Sequence, residues 1–490
     1  MKGSSVASLT WTPIYVVCTA LTVRTIIIEN NIINFTTNLG TGIIFDIAGG
    51  LSIENVTISN NQFNQCECGL YFNNSGAVAA YNDINIIGNS FFDEGLITSA
   101  IYQKVGVFGD SKSSKSRWVF SDNSFTNFNP TNANLCGAAT RNAVYIASAA
   151  NYSFIFKGNR ILNVGNPGGA GAWLLADTAA FRMNSAYNSI FSGNTVLGVY
   201  GTYAYGIEAD VTLTKCMISN NLFSTIWSTA NEAYGIFTVA LTSDSIVGNT
   251  FESILSIASS AADIGTFSTA TATWSAVEIS GNTFKGASVT TYAILVLANS
   301  VRQVSIIGNT STGNNLNFIN LLSVAGGFVE DIIVTGNVGI DSLMSPIVMN
   351  GNTAATKGIV ISSNTLKITT AQPLVSLTGI NFGLVIIANN TLESTAVAIG
   401  VINMISTLHA KVTGNFCQCG AGAAAIGILM GAGCDHYTIQ NNTCNIGAVG
   451  GAHGIQTTAA ATTTGQVSYN FLSIVADLHL NDVNVGDTTF

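Results

Sequence analysis

One short pattern of hydrophobic and polar positions recurs along the chain. It is a β-branched or aromatic residue, any residue, a small or amide residue, Asn, any residue, then usually an apolar one. Clear copies are Ile58-Ser59-Asn60-Asn61-Gln62-Phe63, Ile86-Ile87-Gly88-Asn89-Ser90-Phe91, Ile218-Ser219-Asn220-Asn221-Leu222-Phe223, Ile246-Val247-Gly248-Asn249-Thr250-Phe251 and Ile279-Ser280-Gly281-Asn282-Thr283-Phe284. Taken at the fourth position, the series runs Asn31, Asn61, Asn89, Asn123, Asn159, Asn194, Asn221, Asn249, Asn282, Asn309, Asn337, Asn364, Asn390, Asn415, Asn442 and Asn470. These are sixteen copies, 25 to 36 residues apart.

A period of this size predicts a solenoid. Short Val/Ile/Phe/Thr runs broken by Gly-Asn or Asn-Asn, with no helical periodicity, predict strand, tight turn, strand. Asn at each turn tolerates the left-handed backbone region and can hydrogen-bond neighbouring backbone, so the sixteen are expected to stack as an amide ladder. The apolar residues two before and two after each turn should point inward in columns. A second strand signal precedes most of these Asn residues by 13 to 15 positions, as at Gly206-Ile207, Gly235-Ile236, Ala293-Ile294, Gly427-Ile428 and Gly454-Ile455. The expected fold is all-β: a right-handed parallel β-helix of about sixteen coils over residues 1–490 as a single domain. With coils about 4.8 Å apart it would be roughly 75 Å long. Spacings of 34, 36 and 35 between Asn89 and Asn194 put longer, looped coils at 89–194.

Composition narrows the classes. Charged residues are 8% of the chain, against about 25% on average, so small neutral polar groups must solvate the surface. The net charge of −9 and the lack of a Lys/Arg stripe argue against nucleic acid. No apolar run reaches the length of a membrane span. The segment from Trp11 to Val23 resembles Tyr234 to Thr242 in its approach to a turn Asn, and reads as part of a coil rather than a targeting signal.

The Asn turn and the inward aliphatic stacking resemble the pectin-lyase-like superfamily of right-handed parallel β-helices, which includes polysaccharide lyases, polygalacturonases and phage tailspikes. The resemblance covers almost the whole chain and is nearest to tailspike or fibre domains. It implies a surface-recognition appendage, virion tail-spike or fibre-like, extracellular or on a virion surface, that binds host-surface polysaccharide. A polysaccharide hydrolase or lyase on the same scaffold, and an architectural subunit of an extracellular filament, are the alternatives. The pectinase catalytic motifs are missing: there is no Asn-Thr-Asp, Asp-Asp or Gly-His-Gly, and His453 in Ala452-His453-Gly454 sits at a strand start.

Glycosidases need two carboxyl groups about 5–10 Å apart. Asp93 and Glu94 follow Asn89, with Glu67 a coil earlier. Glu208 and Asp210 share one strand and one face. These are the catalytic candidates. The long coils gather charge and Trp, and an aromatic face can stack on a sugar ring. Trp118, Arg141, Trp173, Asp177 and Arg182 are therefore the ligand-binding candidates. Trp118, beside Val119-Phe120, also fits the core.

The nine cysteines match no zinc module, and no metal or cofactor is expected. Cys417 and Cys444 each lie two after a turn Asn, which makes them stacked core residues and the pair best placed for a disulfide. The repeat begins within the first two dozen residues and runs to Asn470 with no evident capping module. Self-association is expected, as a side-by-side homotrimer or by end-to-end stacking.

Overall fold

Period-two alternation of Ile, Val and Phe with polar residues makes strands with one inward face. The structure, a computed structural model, arranges them as an all-β parallel solenoid with no helix among the described residues. It describes residues 12–19, 22–35, 40–47, 51–66, 68–74, 80–92, 105–109, 117–128, 141–146, 153–165, 177–286, 291–313, 316–351, 358–378, 384–396, 399–420, 422, 425–446, 452–458, 465–472 and 478–479. The chain divides into two compact units, Met1–Val239 with Asp244–Ala261 and Ala240–Ser243 with Ala262–Phe490.

In the first unit each strand pairs in parallel with its counterpart one coil later: Ser124–Phe128 with Arg160–Gly165, and that strand in turn with Thr195–Gly201. Ile14–Cys18 joins in the same way, pairing with Thr41–Ile47, so the apolar segment near Trp11 does enter a coil. The second unit repeats the scheme, with Val385–Ala388 on Ala410–Thr413 and Ala410–Thr413 on Tyr437–Gln440. Counted as turns there are about twelve, slightly fewer than the sixteen expected. Among the described residues a short strand starts one residue after each of the sixteen turn Asn residues, eight in each unit.

The Asn ladder forms. Asn159 Oδ1 accepts from the Asn123 backbone N–H (3.1 Å) and from Asn123 Nδ2 (3.0 Å), while Asn159 Nδ2 donates to Phe120 O (2.9 Å) and Asn194 Oδ1 (2.9 Å). The second unit repeats this at Asn364, whose N–H and Nδ2 both donate to Asn390 Oδ1 at 2.9 Å. One expectation is corrected. The left-handed residue is the one before each ladder Asn, not the Asn itself: Asn60 (φ 54°), Asp122 (φ 55°) and Asn220 (φ 54°) turn the corner, and Gly does so at Gly88 and Gly158. This frees the Asn side chain to lie under the corner, where it satisfies backbone groups that the bend removes from the sheet.

Residues flanking the corners fill the core. Phe63, Phe91 and Phe125 stack coil on coil at 4.7 Å, nearly parallel, and Phe120, Phe156 and Phe191 form a second column. In the second unit Cys417 and Cys444 are register partners, both fully buried, with no disulfide between them and the Cys417 thiol in hydrogen-bond contact with Cys444. They pack as small hydrophobes in the stacked core positions that the repeat assigns to them.

Candidate functional site

Three neighbouring strands of the first unit, Arg141–Ile146, Asp177–Tyr187 and Tyr203–Thr214, place Tyr145, Arg182 and Glu208 in one register column. Their sequence neighbours Val144, Ile146, Phe181, Met183, Ile207 and Ala209 are buried inside the coil. Strand alternation therefore points the column outward, and Asp210, two beyond Glu208, shares that face.

The side chains converge on Arg182. Its Nη1 lies 3.3 Å from Asp177 Oδ2, its Nη2 3.4 Å from Asp210 Oδ1, and its Nε 3.4 Å from Asp210 Oδ2. Glu208 Oε2 is 3.3 Å from Nε but off the N–H direction, so that contact is an ion pair without a hydrogen bond. Tyr145 faces the guanidinium, with its ring centroid 5.4 Å from Arg182 Cζ. Exposure decides the roles: Arg182 (13%) and Glu208 (5%) form the buried floor, whereas Asp177 (37%) and Asp210 (27%) reach solvent. Tyr205, near enough for the Glu208 charge to act on its phenol, belongs to a cluster of rings with Tyr203, Tyr234 and Phe237, centroids 5.1–6.5 Å apart.

Three carboxyl groups around one cation cannot all ionise at no cost. Burial pushes the Glu208 carboxyl well above the usual Glu range. Arg182 opposes this, and Asp210, by charge and by hydrogen bond, and then Asp177 reinforce it. Burial works against the Arg182 charge, but Glu208, Asp210 and Asp177 together outweigh it and hold the guanidinium protonated. Burial raises the Tyr205 phenol first, and the charges of Glu208, Glu232 and Asp177 raise it further; Glu232 is itself raised by burial. Since Glu208 is raised in the fold, its contribution to stability is complete below the unfolded Glu value and is lost as pH climbs through the raised one. Chemically, the site offers a carboxyl group that burial biases towards its acid form, beside acidic side chains with oxygens able to accept hydrogen bonds. Among the described residues no group of three or more His, Cys, Asp or Glu could hold a metal ion; between these acids the position of a cation is taken by the guanidinium.

The structure thus joins two sets of residues that the sequence kept apart: Glu208 and Asp210 as acids, Asp177 and Arg182 as ligand-binding groups. Trp118 is not part of the site. It is fully buried against Phe72 (4.8 Å) and Tyr81 (6.1 Å), because it shares the inward phase of Phe120. Arg141 opens a strand and is in register with Thr178. Trp173, Asp93, Glu94 and Glu67 lie outside the described residues, as do most of the long-coil loops. His453 is a strand residue of the second unit, in register with Ile426. Tyr145, Tyr205 and Glu232 were not singled out from sequence. For Tyr145 the signal is its distance from the ladder: Tyr145, Arg182 and Glu208 stand 14, 12 and 13 residues before Asn159, Asn194 and Asn221.

In comparisons with known proteins, no family model, no curated protein and no solved structure matches the chain.

Proposed function

We propose that the protein is a surface-recognition appendage, extracellular or on a virion, which binds polysaccharide at the Asp177–Arg182–Glu208–Asp210 cluster. The observation that carries this reading is the outward column in which Tyr145, an aromatic face, adjoins a fixed array of charged hydrogen-bonding groups. Sugars are bound by that pairing of ring stacking with polar groups. The solenoid holds the array on strands rather than on loops, so little ordering is lost on binding.

One observation favours hydrolysis as a second reading: burial raises the Glu208 carboxyl towards a proton-donor role, and a second acid, Asp177, is held at a different nitrogen of Arg182. Glycoside cleavage uses two acids set apart across the scissile bond, a spacing that the directly hydrogen-bonded Glu208–Asp210 pair does not have. A single experiment separates the two. The purified chain is incubated with cell-surface polysaccharide fractions, and both retention and newly formed reducing ends are measured. Retention without shortening, weakened about tenfold in Asp210→Asn, is the expected result. Reducing ends that disappear in Glu208→Gln would make the protein a hydrolase. No retention and no cleavage on any fraction would sink both readings.

Self-association belongs to the same proposal. A second outward column of the first unit runs Ile27, Thr57, Asn85, Val119, Ile155, Ile190, Met217, with Ile27 63% and Met217 42% exposed. The column itself carries no charge, with Glu29, Arg117 and Lys157 flanking it on the same face, and an apolar stripe of this kind suits contact with a second copy. Light scattering should give a homotrimer, or an end-to-end series; a monodisperse monomer at micromolar concentration would rule this out.

A further inference from the structure

We infer that the cluster around Arg182 takes uncharged, hydroxyl-rich glycans and rejects polyanionic ones, an inference that rests on the glycan-binding reading above. A guanidinium on a glycan-binding face would ordinarily suggest a carboxylate ligand such as a uronate, since Arg matches a carboxylate with two parallel donors. Here each of the three nitrogens already faces a carboxyl group: Nη1 donates to Asp177, Nη2 to Asp210, and Nε to Asp210 with Glu208 alongside. An incoming carboxylate would compete for the same cation and lie beside the acids already gathered on it. Burial of the floor weakens the screening that would ease that repulsion.

What remains open to a ligand is acceptor capacity. Asp177 and Asp210 reach solvent, and a carboxylate has about four lone-pair sites, only some of them used by Arg182. Sugar hydroxyls are donors of the right kind for those sites. Arg182 then acts as a positioning residue that fixes the two carboxylates rather than as a ligand contact. The same charge balance separates the two kinds of chemistry the fold allows. Eliminative cleavage of a polyuronate needs the uronate charge neutralised next to the scissile bond, and this site would place further carboxylates there. Hydrolysis of a neutral glycan has no such requirement.

The test is affinity electrophoresis of the full chain in gels containing neutral polymers (dextran, galactomannan, a linear β-glucan) or uronate polymers (polygalacturonate, alginate), at low and moderate salt. Retardation by at least one neutral polymer and by neither polyuronate is expected. Asp177→Asn, at a half-exposed position, should weaken the neutral interaction about tenfold with an unchanged circular dichroism spectrum. The double variant Asp177→Asn/Asp210→Asn should gain affinity for polygalacturonate, because it frees the Arg182 fork. Tight binding of a polyuronate by the parent, abolished in Arg182→Gln, would overturn the inference and leave the glycan-binding reading standing. Retardation by no polymer in either class would overturn both.

Discussion

Replacing Asn159 by Ala should cost roughly 3–5 kcal/mol of unfolding free energy, since each buried group left unsatisfied costs about 1–3 kcal/mol. The substitution strips a fully buried corner of four hydrogen bonds. The Asn123 N–H and Asn123 Nδ2 lose their acceptor, and Phe120 O and Asn194 Oδ1 lose a donor. None of these groups can turn to water, because the neighbouring rungs Asn123 and Asn194 are buried too. Asn159→Asp should be no better: it keeps an acceptor but loses both Nδ2 donors and buries a charge. Lys157→Ala, exposed two residues away, should stay within about 0.5 kcal/mol of the parent. Urea unfolding of the three variants checks this. If Asn159→Ala unfolds with the parent, the ladder is a consequence of the coil rather than a support for it.

The same rungs show what the sequence could and could not reveal. All sixteen turn residues were visible, because Asn recurs with an apolar residue at fixed distance on either side, and the first unit bears this out with Ile58 and Phe63, Ile86 and Phe91, Ile218 and Phe223. The error lay one residue away. Gly88, Asp122 and Asn220 occupy the third position, which the sequence showed only as small or amide, and it is there that the backbone turns left-handed. Asn is suited both to a positive φ and to bonding backbone, and composition alone does not say which of two adjacent residues does which.

The candidate site was half visible for a different reason. Strand phase alone places Glu208 and Asp210 on one face, and it equally allows Trp118 to share the inward phase of Phe120, where it is found. Bringing Arg182 beside Glu208 needs the pairing between coils, and that is irregular here. Met183 pairs with Ala209, but Ser185 pairs with Thr212, so one extra residue enters the later strand between site and ladder. Counting back from Asn194 and Asn221 therefore misplaces one strand by a residue, and a slip of one turns every side chain to the opposite face. The burial that raises the Glu208 carboxyl comes from this cross-coil packing, which no local pattern records.

Phe156→Ala should cost roughly 3–5 kcal/mol, in the range found when a buried aromatic ring is deleted. The ring is inaccessible to solvent and sits mid-column, with Phe120 at 4.6 Å on one side and Phe191 at 4.9 Å on the other, and Phe181 (4.7 Å) and Phe154 (5.5 Å) at its edges. Whether the site can collapse decides where in the range the loss falls. In a globular core neighbouring elements can shift into a vacancy, but here Phe120 and Phe191 belong to coils whose separation is fixed by the strand hydrogen bonds of Ser153–Lys157 with its neighbours on both sides. The coils cannot close up without breaking those bonds, so the cavity persists and the loss should lie in the upper half. Phe156→Leu, which keeps most of the volume, should cost no more than about 1.5 kcal/mol. Phe471, 67% exposed in the second unit, provides the contrast: its replacement by Ala should shift stability by about 0.5 kcal/mol or less. Urea titrations followed by near-ultraviolet circular dichroism read all three. A loss below about 1.5 kcal/mol for Phe156→Ala would mean that the coils can approach one another, and that the ring column fills the solenoid without setting its spacing.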